Sequence, residues 1–262
     1  MRIYAVSDLH SDFRENRSLL ERIPAREHRG DALIVAGDVG DSLVLVREVL
    51  AELRERFAEL FFVPGNHELW VRGESRSSLE KFEAVLEACR SADVRTAPAR
   101  AGGAWVVPLF SWYDPAFDVQ GDADEASLEA WADRYFCRWP AGMSRVDRHF
   151  LAINEPHVRR YDAPVVSFSH FVPRTELLPP VRWLRFKGLP LVAGSVEIDA
   201  QVRRLGAAVH VYGHTHIPDD RVLEGIRYVQ NHLRADGPGE GGLLKRVWDD
   251  GVLEAPAAPL FC

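Results

Sequence analysis

Sulfur is scarce in this chain. Its 262 residues include three cysteines, Cys89, Cys137 and Cys262, and two methionines. The cysteines have neither metal-ligand spacing nor a disulfide pattern. This argues against a thiolate metal site and a stapled mini-protein, and it fits a reducing cytoplasm. Long apolar runs are also missing. No stretch approaches the roughly 18 residues that cross a bilayer, so no membrane partner is expected. The first apolar run opens at Ile3, which leaves no room for a leader peptide. There is no long basic run, and the net charge is −7. A nucleic-acid partner is therefore disfavoured, although a local basic groove stays open. Internal repeats and low-complexity segments are absent too.

What is present is ample apolar material, 47% of residues, and an ordered set of polar motifs. The length suits one large domain or two small ones, and one domain over 1–262 is expected. Apolar runs at 3–6, 32–36, 60–63, 164–168 and 207–212 read as strands. Each leads directly into a polar segment: Asp8-Leu9-His10, Gly37-Asp38-Val39-Gly40-Asp41, Gly65-Asn66-His67-Glu68, His170, and Gly213-His214-Thr215-His216. In open α/β sheets, ligands collect beyond the carboxyl ends of strands, so five segments can deliver side chains to one rim.

Between these runs, helices are expected near 15–23, 43–59, 79–89 and 195–205. Val46, Val49, Leu50, Leu53 and Phe57 recur at helical spacing. Asp41 or Ser42 is the candidate cap of the second helix, and Ser195 and Gly206 bracket the fourth. A further strand is expected at 105–110. Residues 111–162 read as a cap-like insertion on the site side of the sheet, with an acidic loop at 114–124 and helices at 128–139 and 145–160. Residues 173–194 show no periodicity, and loops of that length are usually functional. Strands at 227–230 and 244–249 are expected to form an antiparallel edge.

Each motif alone has a structural reading. Asp8 and His10, two apart in an extended segment, would point to one side and share a cation, but such a pair also fits a helix cap and a surface histidine. Gly37 permits a sharp turn that carries Asp38 over the sheet edge, where its two oxygens can bridge two cations. Asp41 fits a helix cap, and Pro64-Gly65-Asn66 is turn chemistry. Asn66 can serve as an oxygen ligand, His67 can donate or accept a proton, and His214 and His216 repeat the geometry of Asp8 and His10. Taken together the structural readings fail. Of ten histidines in the chain, five sit at these strand ends. A set of Asp, His and Asn without thiolate suits manganese, iron, zinc or cobalt.

In this order and spacing, the five motifs resemble the calcineurin-like dinuclear metallophosphoesterase superfamily, from Asp8 to His216. The resemblance implies an α/β fold, a four-layer α/β/β/α sandwich of two mixed β-sheets flanked by helices. It implies two divalent or trivalent transition-metal ions (Mn, Fe or Zn). One would be held by Asp8, His10, His216 and the shared Asp38, the other by Asp38, Asn66, His170 and His214. His67 is then catalytic, and Asp41 orients it. The implied activity is hydrolysis of a phosphomonoester or phosphodiester by a hydroxide bridging two cations roughly 3.5–4 Å apart.

Departures from the family narrow the branch. Protein phosphatases of this superfamily carry arginines where Ser42 and Pro64 stand, and purple acid phosphatases carry a tyrosine ligand where Asp41 stands. The chain looks closer to bacterial enzymes acting on nucleotides and other small phosphoesters. Candidate substrate contacts are Trp112, Tyr113, Arg182 and Arg185. Trp131, Tyr135, Phe136 and Trp139 either stack on substrate or pack the insertion, and Arg174 and Lys187 either bind an anion or lie solvated. Two other readings remain. A nuclease of the same superfamily would need a basic groove. A non-catalytic scaffold with this fold is argued against by the retention of His67 and every ligand.

Overall fold

The computed structural model describes residues 1–234 and 243–250; Cys262 lies outside the described residues. Three short apolar strands, β1 (Arg2–Val6), β2 (Ala32–Val35) and β3 (Glu59–Phe62), pair in parallel. Side chains alternate between strand faces. Ala32, Ile34 and Phe61 therefore enter one core cluster, while Leu33, Val35, Leu60 and Phe62 enter another. Helices α1 (Arg14–Glu21), α2 (Leu43–Arg56) and α3 (Ser78–Ser91) close the second cluster. They do so with Leu19 and Leu20, with Val46, Val49, Leu50 and Leu53, and with Val85 and Cys89. The apolar stripe read from the sequence of α2 is thus the face it buries. Ser42 occupies the N-cap position of α2 without a side-chain cap, whereas Ser77 and Glu80 give α3 a full capping box.

The first cluster is shared with a second sheet. It is built from β4 (Ala99–Ala101), β5 (Ala104–Pro108), β6 (Val165–Phe168), β7 (Ala207–Tyr212), β8 (Asp219–Leu223) and β9 (Ile226–Gln230), in the spatial order β4-β5-β6-β7-β9-β8. Its inner four strands are parallel, and β4 and β8 are antiparallel edges. After the single turn of α4 (Asp133–Phe136), helices α5 (Val146–Asn154) and α6 (Val196–Leu205) add Phe150, Leu151, Ile198, Val202 and Leu205 to this core. The architecture is the four-layer α/β/β/α sandwich of two mixed sheets.

Several expected elements differ. Residues 128–139 do not form one helix. A 3₁₀ segment, Glu125–Ala130, ends at Trp131, whose backbone is extended at φ −74° and ψ 118°, and α4 follows. The helix expected at 145–160 stops at Asn154. Its side chain accepts from the Phe110 N–H at 2.9 Å and donates to the Phe110 carbonyl at 2.8 Å. The strands expected at 227–230 and 244–249 do not share an edge. β9 lies parallel to β7 in the second sheet, and β10 (Lys245–Asp249) lies antiparallel to β1 in the first. The crossing occurs where Ser7 exchanges backbone hydrogen bonds with Asn231 and Leu233, 2.9 Å each. Residues 173–194 carry 3₁₀ turns at Thr175–Leu177, Val181–Trp183 and Leu189–Leu191.

Candidate metal centre

The five motif segments meet at one rim that spans both sheets. The Asp8 N–H donates to the Gly37 carbonyl at 3.0 Å and the Gly213 N–H to the His170 carbonyl at 2.9 Å. The His214 N–H donates to Asp8 Oδ1 at 2.9 Å, which ties the end of β7 to the end of β1. The extended geometry expected for Asp8 and His10, and for His214 and His216, is corrected by the backbone. Their φ angles are +53°, +40°, +74° and +54°, and Asp38 stands at +55°. Left-handed backbone at a non-glycine residue costs about 1–3 kcal/mol and persists only where the surroundings over-determine it. Here the His10 and Ser11 N–H groups are held by the Asp38 and Val39 carbonyls, at 2.8 Å each. Gly65 has no side chain for a steric reason: a Cβ there would overlap Asp38 Oδ1.

The donor atoms test whether cations fit. His170 Nδ1 lies 2.8 Å from the Ala36 carbonyl and His214 Nε2 lies 3.0 Å from the Val192 carbonyl. A carbonyl only accepts, so those nitrogens carry the protons. Lone pairs remain on His170 Nε2 and His214 Nδ1, which face each other at 3.2 Å. Asn66 donates through Nδ2 to Asp133 at 2.9 Å, which turns its Oδ1 toward the two nitrogens, at 3.2 and 3.1 Å. Asp38 Oδ2 adds a fourth acceptor 3.4 Å from His170 Nε2. A proton would satisfy one pair of this group, whereas a cation satisfies all four. Beside it, His10 Nε2 and His216 Nε2 are 3.0 Å apart. Asp8 Oδ1 lies 3.3 Å from His216 Nε2, and Asp38 Oδ2 lies 3.8 Å from His10 Nε2. Among the described residues, Asp38 lies in reach of both groups.

The field at the rim favours positive charge. Burial pushes the Asp38 carboxyl up, but the His170, His67 and His10 imidazoles outweigh it and hold Asp38 well below the usual carboxylate range. Burial works against a charged His170, yet Asp38 and Asp8 raise it to about 9. His214, buried and facing His170, is pushed down to about 3. A field that binds a proton between these groups also binds a metal cation in its place.

His67 stands at the edge of the cluster. Its Nδ1 lies 2.7 Å from Asp41 Oδ1, and its Nε2 lies 3.9 Å from Asp38 Oδ2. Burial lowers His67, but the charges of Asp38 and Asp41 raise it to about 9. Asp41 therefore spends its carboxylate on His67 and does not cap α2. Its other oxygen lies 3.3 Å from Arg72, whose guanidinium sits over the rings of Trp70 and Phe136.

The sequence reading missed several supporting residues. Buried Glu68 accepts four backbone N–H bonds, from Asp38, Val39, Gly40 and Gly65, at 3.0, 2.6, 3.1 and 2.7 Å. It thereby fixes the loops that carry Asp38 and Asn66. Burial and the Asp38 charge push it up to about 7. Its only signal was an acid directly after Asn-His. Lys81 lies on the buried face of α3 and donates to the Asp41 and Trp70 carbonyls. His232 stacks on His216 with ring centroids 5.4 Å apart. Asp133 and Arg72 gave no sequence signal.

The substrate candidates separate. Trp112 is buried among Trp139, Phe150 and Phe171, so its place is packing. Tyr113 packs edge-on against Phe171 beside the site. Among the described contacts neither Arg182, which lies over Trp183, nor exposed Arg185 reaches a metal-ligand candidate. Arg174 is buried and committed to Glu176, Asp199 and Glu224. Trp131 does border the site, edge-on to His214 at 5.8 Å and stacked on Phe186 at 5.3 Å.

Comparison with known proteins agrees with this geometry. The family model for calcineurin-like phosphoesterases matches residues 1–218. The chain is 29% identical over 249 residues to the acyl-carrier-protein phosphodiesterase PptH of Mycobacterium tuberculosis, covering 86% of this chain and 75% of that protein. The crystal structure of phosphopantetheinyl hydrolase PptH from the same organism superposes with a TM-score of 0.77 at 26% identity, covering 95% of this chain and 96% of the other. This chain belongs to the calcineurin-like phosphoesterases and is a metal-dependent hydrolase of phosphoric ester bonds.

Proposed function

We propose that the enzyme hydrolyses a phosphodiester that joins a phosphopantetheine arm to an acyl carrier protein. The carrying observation is its likeness to PptH over nearly the whole chain. The nucleotide or small phosphoester suggested by the motif departures is the competing outcome. Residues 1–262 are read as one domain in which 111–162 is an insertion that walls one side of the site.

In this reading Asp8, His10, Asp38 and His216 hold one cation, and Asp38, Asn66, His170 and His214 hold the other. The oxygen and imidazole donors support manganese, iron or zinc. When bound, the two ions supply activation of a water nucleophile and neutralisation of phosphoryl charge. The protein's own groups do the rest. His67, held by Asp41, carries a proton on Nε2 and delivers it to the leaving oxygen. Arg72 fixes Asp41 and keeps that carboxylate from rotating away. The surroundings of Asp38 exclude water and strengthen every charge interaction there. The two described cysteines, Cys89 and Cys137, are unpaired, which supports a cytoplasmic setting.

The test is incubation of a holo-acyl carrier protein with the Mn²⁺-loaded enzyme, followed by intact-mass spectrometry. The expected result is loss of the whole phosphopantetheine group. Turnover of an aryl phosphodiester with an unchanged carrier protein would assign a small-molecule diester instead. Digestion of single-stranded DNA would assign the nuclease reading.

A further inference from the structure

We propose that Asp133 is a positioning residue that sets the orientation of the Asn66 amide and links that ligand to Trp131 at the site border. This rests on the assignment of Asn66, with Asp38, His170 and His214, to a cation. The Asp133 carboxylate is buried and comes from α4, 67 positions along the chain from Asn66. Three N–H donors converge on it. Oδ1 accepts from Asn66 Nδ2 at 2.9 Å and from Trp70 Nε1 at 2.6 Å, and Oδ2 accepts from Trp131 Nε1 at 3.0 Å. No Lys or Arg pairs with it among the described residues.

The physical consequence lies in the symmetry of an amide. An asparagine side chain presents either an oxygen or an NH₂ to its neighbours, and the two ends have nearly the same shape. A cation requires the oxygen. Asp133 accepts only, so it selects the rotamer in which Asn66 Nδ2 faces outward and Oδ1 faces His170 and His214. The support is itself fixed. The Val71 N–H donates to the Phe136 carbonyl at 2.8 Å, so the end of α4 is bonded to the chain just after His67. Trp131 borders His214 from the same carboxylate. Asp133 therefore touches, through one bond each, a ligand of the cation and an aromatic ring at its rim.

Replacing Asp133 by Asn separates this role from simple packing. An amide at 133 has one oxygen for these donors. It either turns its NH₂ toward Asn66, or keeps its oxygen on Asn66 and Trp70 and opposes the Trp131 indole. In both cases Asn66 loses its charged acceptor, the stronger kind of hydrogen bond. Mn²⁺ titration of the full metal-free chain by calorimetry is the measurement, with its melting temperature recorded alongside. Wild type is expected to take two ions per chain. Asp133→Asn is expected to weaken one ion about 10–100-fold, the usual effect of losing an outer partner of a ligand, and to leave the other unchanged. The exchanged pair, Asn66→Asp with Asp133→Asn, restores a donor facing an acceptor and is expected to regain the weakened ion. Unchanged affinity for both ions in Asp133→Asn overturns the proposal. So does equal weakening of both ions with a lowered melting temperature and no recovery in the exchanged pair. A wild type that takes fewer than two ions removes the ligand assignment itself, and the proposal with it.

Discussion

At the residue scale, the rim divides into groups that hold charge and a group that moves a proton. Asp38 lies in reach of both donor groups, so Asp38→Asn is expected to abolish activity and weaken at least one cation, checked by metal analysis after dialysis. Two tightly held ions in an active Asp38→Asn protein would refute its bridging role. His67 is different, because its partners are Asp41 and the edge of Asp38. His67→Ala is expected to leave both ions bound while kcat falls roughly 10²–10⁴-fold. The loss should be largest for an alkyl leaving group and smallest for nitrophenolate, which needs little protonation. Asp41→Asn should give a smaller loss of the same kind. Equal losses across the two leaving groups would instead assign His67 to clamping the phosphate.

At the element scale, the loops after β2 and β3 are held by one buried carboxylate rather than by sheet pairing. Glu68 answers four backbone donors, and no other side chain takes those bonds among the described residues. Glu68→Gln keeps the size but turns an NH₂ toward N–H groups. Leaving a buried donor unmatched costs about 1–3 kcal/mol. An unfolding free energy lower by that amount, read from a lowered urea midpoint at unchanged slope, together with weaker Mn²⁺ binding, is expected. An unchanged midpoint would show that Glu68 is not what holds these loops, and that the loop after β2 rests on its backbone bonds to Asp8, His10 and Ser11. The single turn of α4 illustrates the converse. Its sequence carried helical signals, yet Trp131 adopts extended backbone, and Asp133 at the start of α4 is held by Asn66 and Trp70 from a distant segment, so tertiary bonds override local propensity there.

At the scale of the whole molecule, acid should destabilise the fold through His210. This imidazole is buried in β7 between the Ser167 and Ser169 hydroxyls, at 2.9 and 3.1 Å, and burial pushes it down to about 3. In the unfolded chain a histidine titrates near 6.5. The stability that His210 contributes is therefore complete above about pH 6.5. It falls as the pH drops toward 3, because only the unfolded chain takes up the proton, at a slope of up to about 1.4 kcal/mol per pH unit. His210→Gln is expected to show a smaller drop in urea midpoint between pH 7 and pH 5 than wild type. Identical pH dependence in the two proteins would rule His210 out as the source.

The chain order of Asp8, Asp38, Asn66, His170, His214 and His216 was enough to name the family and its ligand types, because each follows an apolar run short enough to be a strand. The parallel core strands and the buried face of α2 were legible for the same reason: periodicity in apolar residues is a local property. What stayed hidden depends on contacts between distant segments. Asp and His enter left-handed backbone more readily than most residues, but at Asp8, His10, Asp38 and His214 hydrogen bonds across the rim hold it there. The parting of β9 and β10 into different sheets follows from the crossing at Ser7 and Asn231. Asp133 and Arg72 carry no motif, and Glu68 closes one without any hint of its role; only folding brings Asp133 to Asn66 and Arg72 to Asp41, and sets the Glu68 carboxylate under four N–H groups. The sequence by itself determined which atoms can bind metal. The tertiary structure decided how they are aimed, since a lone pair or an amide oxygen is oriented by whatever accepts the proton on its other side.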